Sequence, residues 1–180
     1  MFEERPLLNR RKPVYGLGIN DADYVVRSKL ADGTRAMCPY YTVWMNMLRR
    51  VTSEPDYADV TICNEWITFS RFKEWMTTQD WEGKFLDKDL LDPNSRTYSP
   101  DTCLFVDRHV NNVIRNNKGT GVTKRKNRYV ARYGSNNRHI GSYVSESDAI
   151  DAYKSARLEH ISSLALEYDE PIRSALLRMT

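Results

Sequence analysis

The sequence predicts an α+β fold, in which helices and short strands lead into a three-stranded antiparallel sheet packed on one helix. Three observations carry this. Apolar residues at 40, 43, 44, 47, 48 and 51 recur with a helical period. Tyr129, Val130, Tyr133, Ile140 and Tyr143 are interleaved with basic residues in turn-bounded stretches, as half-buried strands are. Ser145-x-x-Asp148 then forms a capping box, and the residues after it place Ala149, Tyr153, Ala156, His160 and Leu164 on one helical face.

Taken in order, residues 1–36 mix prolines, glycines and charges with little periodicity, "YGLGINDADY" among them, and predict an extended arm or irregular cap. The Gly16-x-Gly18 pair lacks a following helix pattern and implies no nucleotide loop. The helix over 40–51 ends in Arg49 and Arg50, as a helix C-terminus favours. A second helix is expected across "FSRFKEWMTT", with Phe69, Phe72, Trp75 and Met76 on one core-facing side. The stretch "FLDKDLLDPNSRTYSPDTCLFVDRHVNN", from Phe85 to Asn112, predicts two short strands joined by a polar loop and followed by a helix. "NNKGTG" has no apolar anchor and predicts a linker at 116–120 that separates residues 1–115 from 120–180. Beyond it, strands with turns near Lys126-Asn127 and at 134–137 precede the capped helix, and a short helix follows with Pro171 at its first position. Four segments result: 1–36, 37–115, 121–165 and 166–180.

Composition limits the function. With 41% apolar residues and eight glycines in 180, the chain has enough apolar surface for one or two small cores. No apolar run approaches the ~20 residues that span a bilayer, and "MFEERPLLNRRKP" has no apolar signal region, so a cytoplasmic location is expected. Cys38, Cys63 and Cys103 lack C-x-x-C spacing, so neither a disulfide framework nor a zinc knuckle is expected; Cys63 and Cys103 read as small core residues. The net charge of +3 hides a division. From Arg108 to Ser145 there is no Asp or Glu, while nine Lys and Arg residues fall there; the remaining 18 basic and 24 acidic residues give −6 elsewhere. One cationic segment of this kind attracts a polyanion.

The C-terminal 60 residues resemble the AP2-type DNA-binding domain. The likeness rests on Gly121-Val122, Lys124-Arg125, Tyr129-Val130-Ala131, Ile140-Gly141-Ser142-Tyr143 and "DAIDAYKSA". The middle of the chain, "YYTVWMNMLRRV" through "NEWITFSRFKEWM" to "LDKDLL", "YSPDTCLFV" and the Asn pair, resembles phage HNH-type homing endonucleases. The resemblance implies a degenerate ββα-metal region followed by an AP2-like sheet, double-stranded DNA as partner, and a bacterial host cytoplasm as location. On it, Lys124, Arg125, Arg128, Arg132 and Arg138 are the groove-facing residues. Arg128, Val130 and Arg132 share one strand parity, so Val130 faces DNA with them only as an apolar contact.

The same resemblance makes Asp87 and Asn111 the ligands of one Mg²⁺ or Mn²⁺ ion, puts Lys88 where the general-base histidine belongs, and puts Tyr98 at a base-orienting position. A lysine with its ordinary pKa near ~10.4 is protonated at neutral pH and accepts no proton. His109 lies three residues before Asn112 on the expected helix, so it becomes a base or a ligand only if Asn112 replaces Asn111 as ligand. Asp89 could add a carboxylate, His139 a phosphate contact, and His160 packs. Two functions follow: a metal-dependent DNA endonuclease, or an inactive HNH scaffold that binds DNA as regulator, recruiter or inhibitor. RNA binding is disfavoured, because no exposed stacking pair or KH-type loop is evident.

Overall fold

The computed structural model describes residues 12–115, 121–134 and 136–180; the linker expected at 116–120 lies outside them. The chain divides into two compact units, Met1–Glu82 with Asn94–Phe105, and Gly83–Pro93 with Val106–Thr180. Residues 83–93 and 106–115 group with the C-terminal sheet in this division.

In the first unit, a small hairpin pairs β1 (Arg27–Lys29) antiparallel with β2 (Arg35–Met37) inside the segment expected to be irregular. Its turn is closed by Leu30 N–H on Thr34 O at 2.8 Å, with Gly33 at φ +84°. Asp32 braces it by accepting from the Thr34 N–H at 2.9 Å and the Thr34 hydroxyl at 2.6 Å. Gly16 sits in a tight turn at φ +73°, while a Cβ on Gly18 would lie 2.3 Å from Leu48 and 2.8 Å from Trp44. Both glycines thus have structural reasons to be where they are.

Helix α1 (Pro39–Ser53) takes up the expected helical period and buries Tyr41, Trp44, Met47 and Leu48. Strand β3 (Thr61–Ile62) leads into the short α2 (Asn64–Ile67) and then α3 (Phe69–Thr77), which buries Phe69, Phe72 and Met76. The Trp44 indole donates to Trp66 O at 2.7 Å, which meets its polar demand inside the core. Trp75 lies 4.4 Å from Trp66, ring to ring, so these aromatics pack together as core. Strand β5 (Thr97–Tyr98) pairs in parallel with β3, so the Tyr98 strand takes Thr61–Ile62 as its neighbour. The divide falls inside β6 (Leu104–Val106).

The second unit contains β4 (Phe85–Asp87), α4 (Arg108–Arg115), and a sheet ordered β7 (Val122–Arg125), β8 (Arg128–Tyr133), β9 (Arg138–Tyr143). Both sheet pairings are antiparallel, with turns where the sequence places them. Helix α5 (Glu146–Ala165) starts on Ser145, whose hydroxyl accepts from the Asp148 N–H at 3.4 Å. Its buried face is Ala149, Tyr153, Ile161, Leu164 and Ala165. Ala156 is half-buried and His160 exposed, and the helix packs against both the sheet and α6 (Ile172–Leu177). The His160 ring still meets Tyr133, whose hydroxyl lies 2.9 Å from Nδ1. Helix α6 begins at Ile172, so Pro171 is its cap residue, one place before the expected position.

Two long-range interactions hold α4 and the 88–93 segment to the C-terminal elements. The Asp107 carboxylate caps α4 by accepting from His109 N–H at 2.7 Å and Val110 N–H at 3.1 Å, and it also accepts from the Tyr168 hydroxyl. Burial works to raise the Asp107 pKa, but the Tyr168 hydroxyl and the two N–H donors outweigh it and hold the carboxyl below its usual range. Arg178 donates to Leu91 O at 3.2 Å. Among the described residues no helix is long and apolar enough to cross a membrane.

Candidate nucleic-acid interface

One face of the three-stranded sheet is covered and the other is open. Ala131, Tyr133, Ala149 and Tyr153 form the buried cluster between sheet and α5, with Val122, Tyr129, Ile140 and Tyr143 packed against it. Tyr133 and Tyr153 meet edge to face at 5.6 Å between ring centroids. The odd-numbered residues of β8 thus point toward α5, and Arg128, Val130 and Arg132 point away from it.

Register extends this face to the neighbouring strands, because directly paired residues project on the same side. Thr123 pairs with Val130, Arg125 with Arg128, Ser142 with Val130, and His139 with Arg132. The open face therefore carries Thr123, Arg125, Arg128, Val130, Arg132, His139 and Ser142. Arg125 directly opposite Arg128 is a like-charge pair, an arrangement that costs an isolated sheet roughly 0.2–1 kcal/mol. Arg128 donates to Ser142 O at 2.6 Å and Arg132 to Asn137 O at 3.2 Å. Each guanidinium is steered by one nitrogen while its other donors stay available. Among the described residues, the ion pairs between side chains leave Arg125, Arg128 and Arg132 without a carboxylate.

Two of the five expected DNA-facing residues sit on the other side. Lys124 pairs with Tyr129 and places its ammonium 5.5 Å from that ring, on the α5 side. A register shift between Ala131 and Arg132 brings Ile140 against the core and sets Arg138 opposite Tyr133. Simple alternation would have grouped Arg138 differently; the bulge changes its side. His139, by contrast, joins the open face with its Nε2 3.3 Å from the Ser142 hydroxyl.

Glycine shapes both ends of this sheet. Gly121 has φ +58°, and a Cβ there would lie 2.2 Å from Tyr153 and 2.4 Å from Arg132 O. Its carbonyl accepts the Arg132 N–H at 2.8 Å, so the glycine lets β7 close against α5 and fixes the backbone of Arg132. A Cβ on Gly141 would strike the Tyr143 hydroxyl at 2.6 Å.

No protein family, curated protein or solved structure matches the chain. Its chemistry therefore rests on its own residues.

The expected metal site has a different local geometry. Strand β4 ends at Asp87, whose Oδ1 accepts from Asp89 N–H at 2.9 Å and Leu90 N–H at 2.8 Å. That is an Asx turn, and it commits one carboxylate oxygen to the backbone. Burial raises the Asp87 pKa, with the Asp89 charge adding to it against the two backbone donors. Lys88 is buried, 4% exposed, and its ammonium pairs with Asp89. Asp89 lies in the turn, beyond the strand, so it does not share a strand face with Asp87.

Helix α4 packs beside β4 and carries Asn111 half-buried, with His109 exposed. Tyr98 belongs to the other unit, buried there, and its hydroxyl is hydrogen-bonded to Arg50. Burial pushes its pKa up. Among the described residues no three His, Cys, Asp or Glu side chains are grouped to hold a metal ion. Asp87 keeps one carboxylate oxygen outside the turn and Asn111 offers a carboxamide, so a divalent cation held by them would take most of its shell from water and substrate phosphate.

Proposed function

We propose that the chain is a double-stranded DNA-binding protein that docks the open face of the β7–β8–β9 sheet in a groove. The observation that carries this reading is the alignment of Arg125, Arg128 and Arg132, with His139, on one face opposite α5. A folded protein gains nothing internally from two arginines opposed across a strand pair, whereas a polyanion laid over them removes the repulsion and releases its counterions. Three strands at roughly 4.8 Å spacing set their outer axes about 10 Å apart, a scale comparable with the ~12 Å width of a major groove. Arginine forks suit guanine edges, and Val130 between Arg128 and Arg132 supplies an apolar surface of the kind that meets a thymine methyl.

Of the two functions the sequence leaves open, the binding reading has the better support, because Asp87 serves its own turn and Lys88 is occupied by Asp89. The HNH-type nuclease reading, with Asp87, Lys88, His109 and Asn111 as its residues, is the alternative. The test is a fluorescence-anisotropy titration of the full chain with a labelled duplex, beside the Arg125→Ala, Arg128→Ala, Arg132→Ala triple variant. Binding by the parent that disappears in the triple variant supports the proposal; equal binding by both refutes it. A supercoiled plasmid incubated with Mg²⁺ or Mn²⁺ decides the alternative, since nicked circles that disappear in Asp87→Asn would make the chain a nuclease.

A further inference from the structure

We propose that the β1–β2 hairpin of the first unit is a second docking surface, and that its occupant is the sugar-phosphate backbone of double-stranded DNA. The reading of the chain as DNA-binding sets the choice of occupant; the register shows which side of the hairpin carries the cations. Arg27 pairs with Met37 and Lys29 with Arg35, so Arg27, Lys29 and Arg35 project from one side of the hairpin beside the half-buried Met37, while Ser28 and Ala36 project from the other. All three basic residues are exposed. Their side is cationic at nine residues' span, with Asp32 the single acid between Arg27 and Arg35. That acid is spent on the turn, where Thr34 donates to it twice.

Lys29 directly opposite Arg35 repeats what Arg125 and Arg128 do in the other unit: two like charges sit at the closest cross-strand separation, Cβ to Cβ about 5 Å. Keeping strangers off an exposed strand edge explains a single lysine, which is the common guard, and it works whichever side the charge faces. It does not explain Lys29 and Arg35 set directly opposite each other. A two-stranded hairpin is also marginal alone, yet this one is held in place. Cys38 N–H donates to Val26 O at 2.9 Å, one further rung of the same ladder, and the anchor is Arg27, whose guanidinium lies 5.7 Å from the Tyr41 ring centroid on α1 while donating to the Met45 sulfur. Arg27 is thus anchored, and Lys29 and Arg35 are the free ends that reach phosphate. Phosphate contacts carry no sequence information directly, so this surface adds affinity and no sequence preference.

The experiment uses the full chain and a random-sequence duplex, with affinity followed by anisotropy between about 50 and 200 mM salt. Four proteins are compared: the parent, Lys29→Gln with Arg35→Gln, the charge-keeping exchange Lys29→Arg with Arg35→Lys, and Arg125→Ala with Arg132→Ala. Removing two phosphate-binding cations makes the log–log salt slope shallower by roughly 1.8, so the Gln pair loses about 12-fold less affinity than the parent over that salt rise. The charge-keeping exchange retains the parent slope. A parent-like slope in the Gln pair overturns the hairpin proposal and leaves the sheet reading standing. A parent-like slope in the Arg125 and Arg132 pair, with a shallower one in the Gln pair, removes the sheet and keeps the hairpin. A parent that binds no duplex, or a Gln pair whose slope changes on single-stranded RNA alone, overturns the hairpin's assignment to DNA.

Discussion

The division of the sheet's basic residues between two faces makes a prediction in which charge is held constant. Arg125→Ala with Arg132→Ala removes two cations from the open face; Lys124→Ala with Arg138→Ala removes two from the α5 side of the same three strands. Both variants lower the net charge by two, and at ~0.1 M salt, where the Debye length is about 10 Å, the long-range effect is nearly the same for each. Only direct engagement of the duplex separates them. Each cation that no longer neutralises a phosphate makes the log–log salt slope shallower by about 0.9, or roughly 3.5-fold in affinity for every fourfold rise in salt. The open-face pair should therefore lose about 12-fold less affinity than the parent between about 50 and 200 mM, while the α5-side pair follows the parent within about twofold. Where one of the open-face arginines reads a guanine, its removal additionally relaxes preference at that base pair by about 1–3 kcal/mol. Anisotropy with a labelled duplex at four salt concentrations measures both quantities. Equal slopes for the two variants, or a larger change in the α5-side pair, would refute the assignment of the open face as the DNA-binding surface.

Two further outcomes test the roles given to Asp87 and Gly121. Because burial raises the Asp87 pKa, the fold favours its protonated form: that contribution is present at low pH and is lost as pH rises through the raised value. Asp87→Asn keeps an oxygen for the Asp89 and Leu90 N–H groups and should match or exceed the parent in urea unfolding at pH 7, whereas Asp87→Ala orphans both donors and should lose about 1–3 kcal/mol; an Asn variant as unstable as the Ala one would show that the carboxylate's charge is what the site needs. Gly121→Ala should cost at least about 2 kcal/mol by the same assay, from left-handed backbone and from a methyl driven into Tyr153 and Arg132 O, and a parent-like midpoint would refute that packing.

What the sequence revealed and what it hid differ by range. The α5 cap was legible because Ser145 and Asp148 act within one turn, and the α1 face because its spacing is a property of one helix. The grouping of Arg128, Val130 and Arg132 was legible for the same reason, as strand parity is local. The β1–β2 hairpin escaped although Asp32-Gly33 between two short runs is a turn signal, because Arg27, Lys29 and Arg35 make that segment read as a charged arm. The side on which Arg138 falls depends on a register shift between β8 and β9, and no spacing in the sequence encodes it, although Gly141 inside a strand was a hint of irregularity. Asp87 is the sharpest case. An acid, a basic residue and a second acid before an apolar pair read equally as a metal ligand with its neighbours or as a turn cap beside an ion pair; only the Asp89 and Leu90 N–H groups aimed at one oxygen decide that the backbone has claimed it. The same lesson favours the sheet over the Asp87 region as the functional surface: charges that the fold uses are found paired, capped or buried, and Arg125 and Arg128 are found exposed and facing each other.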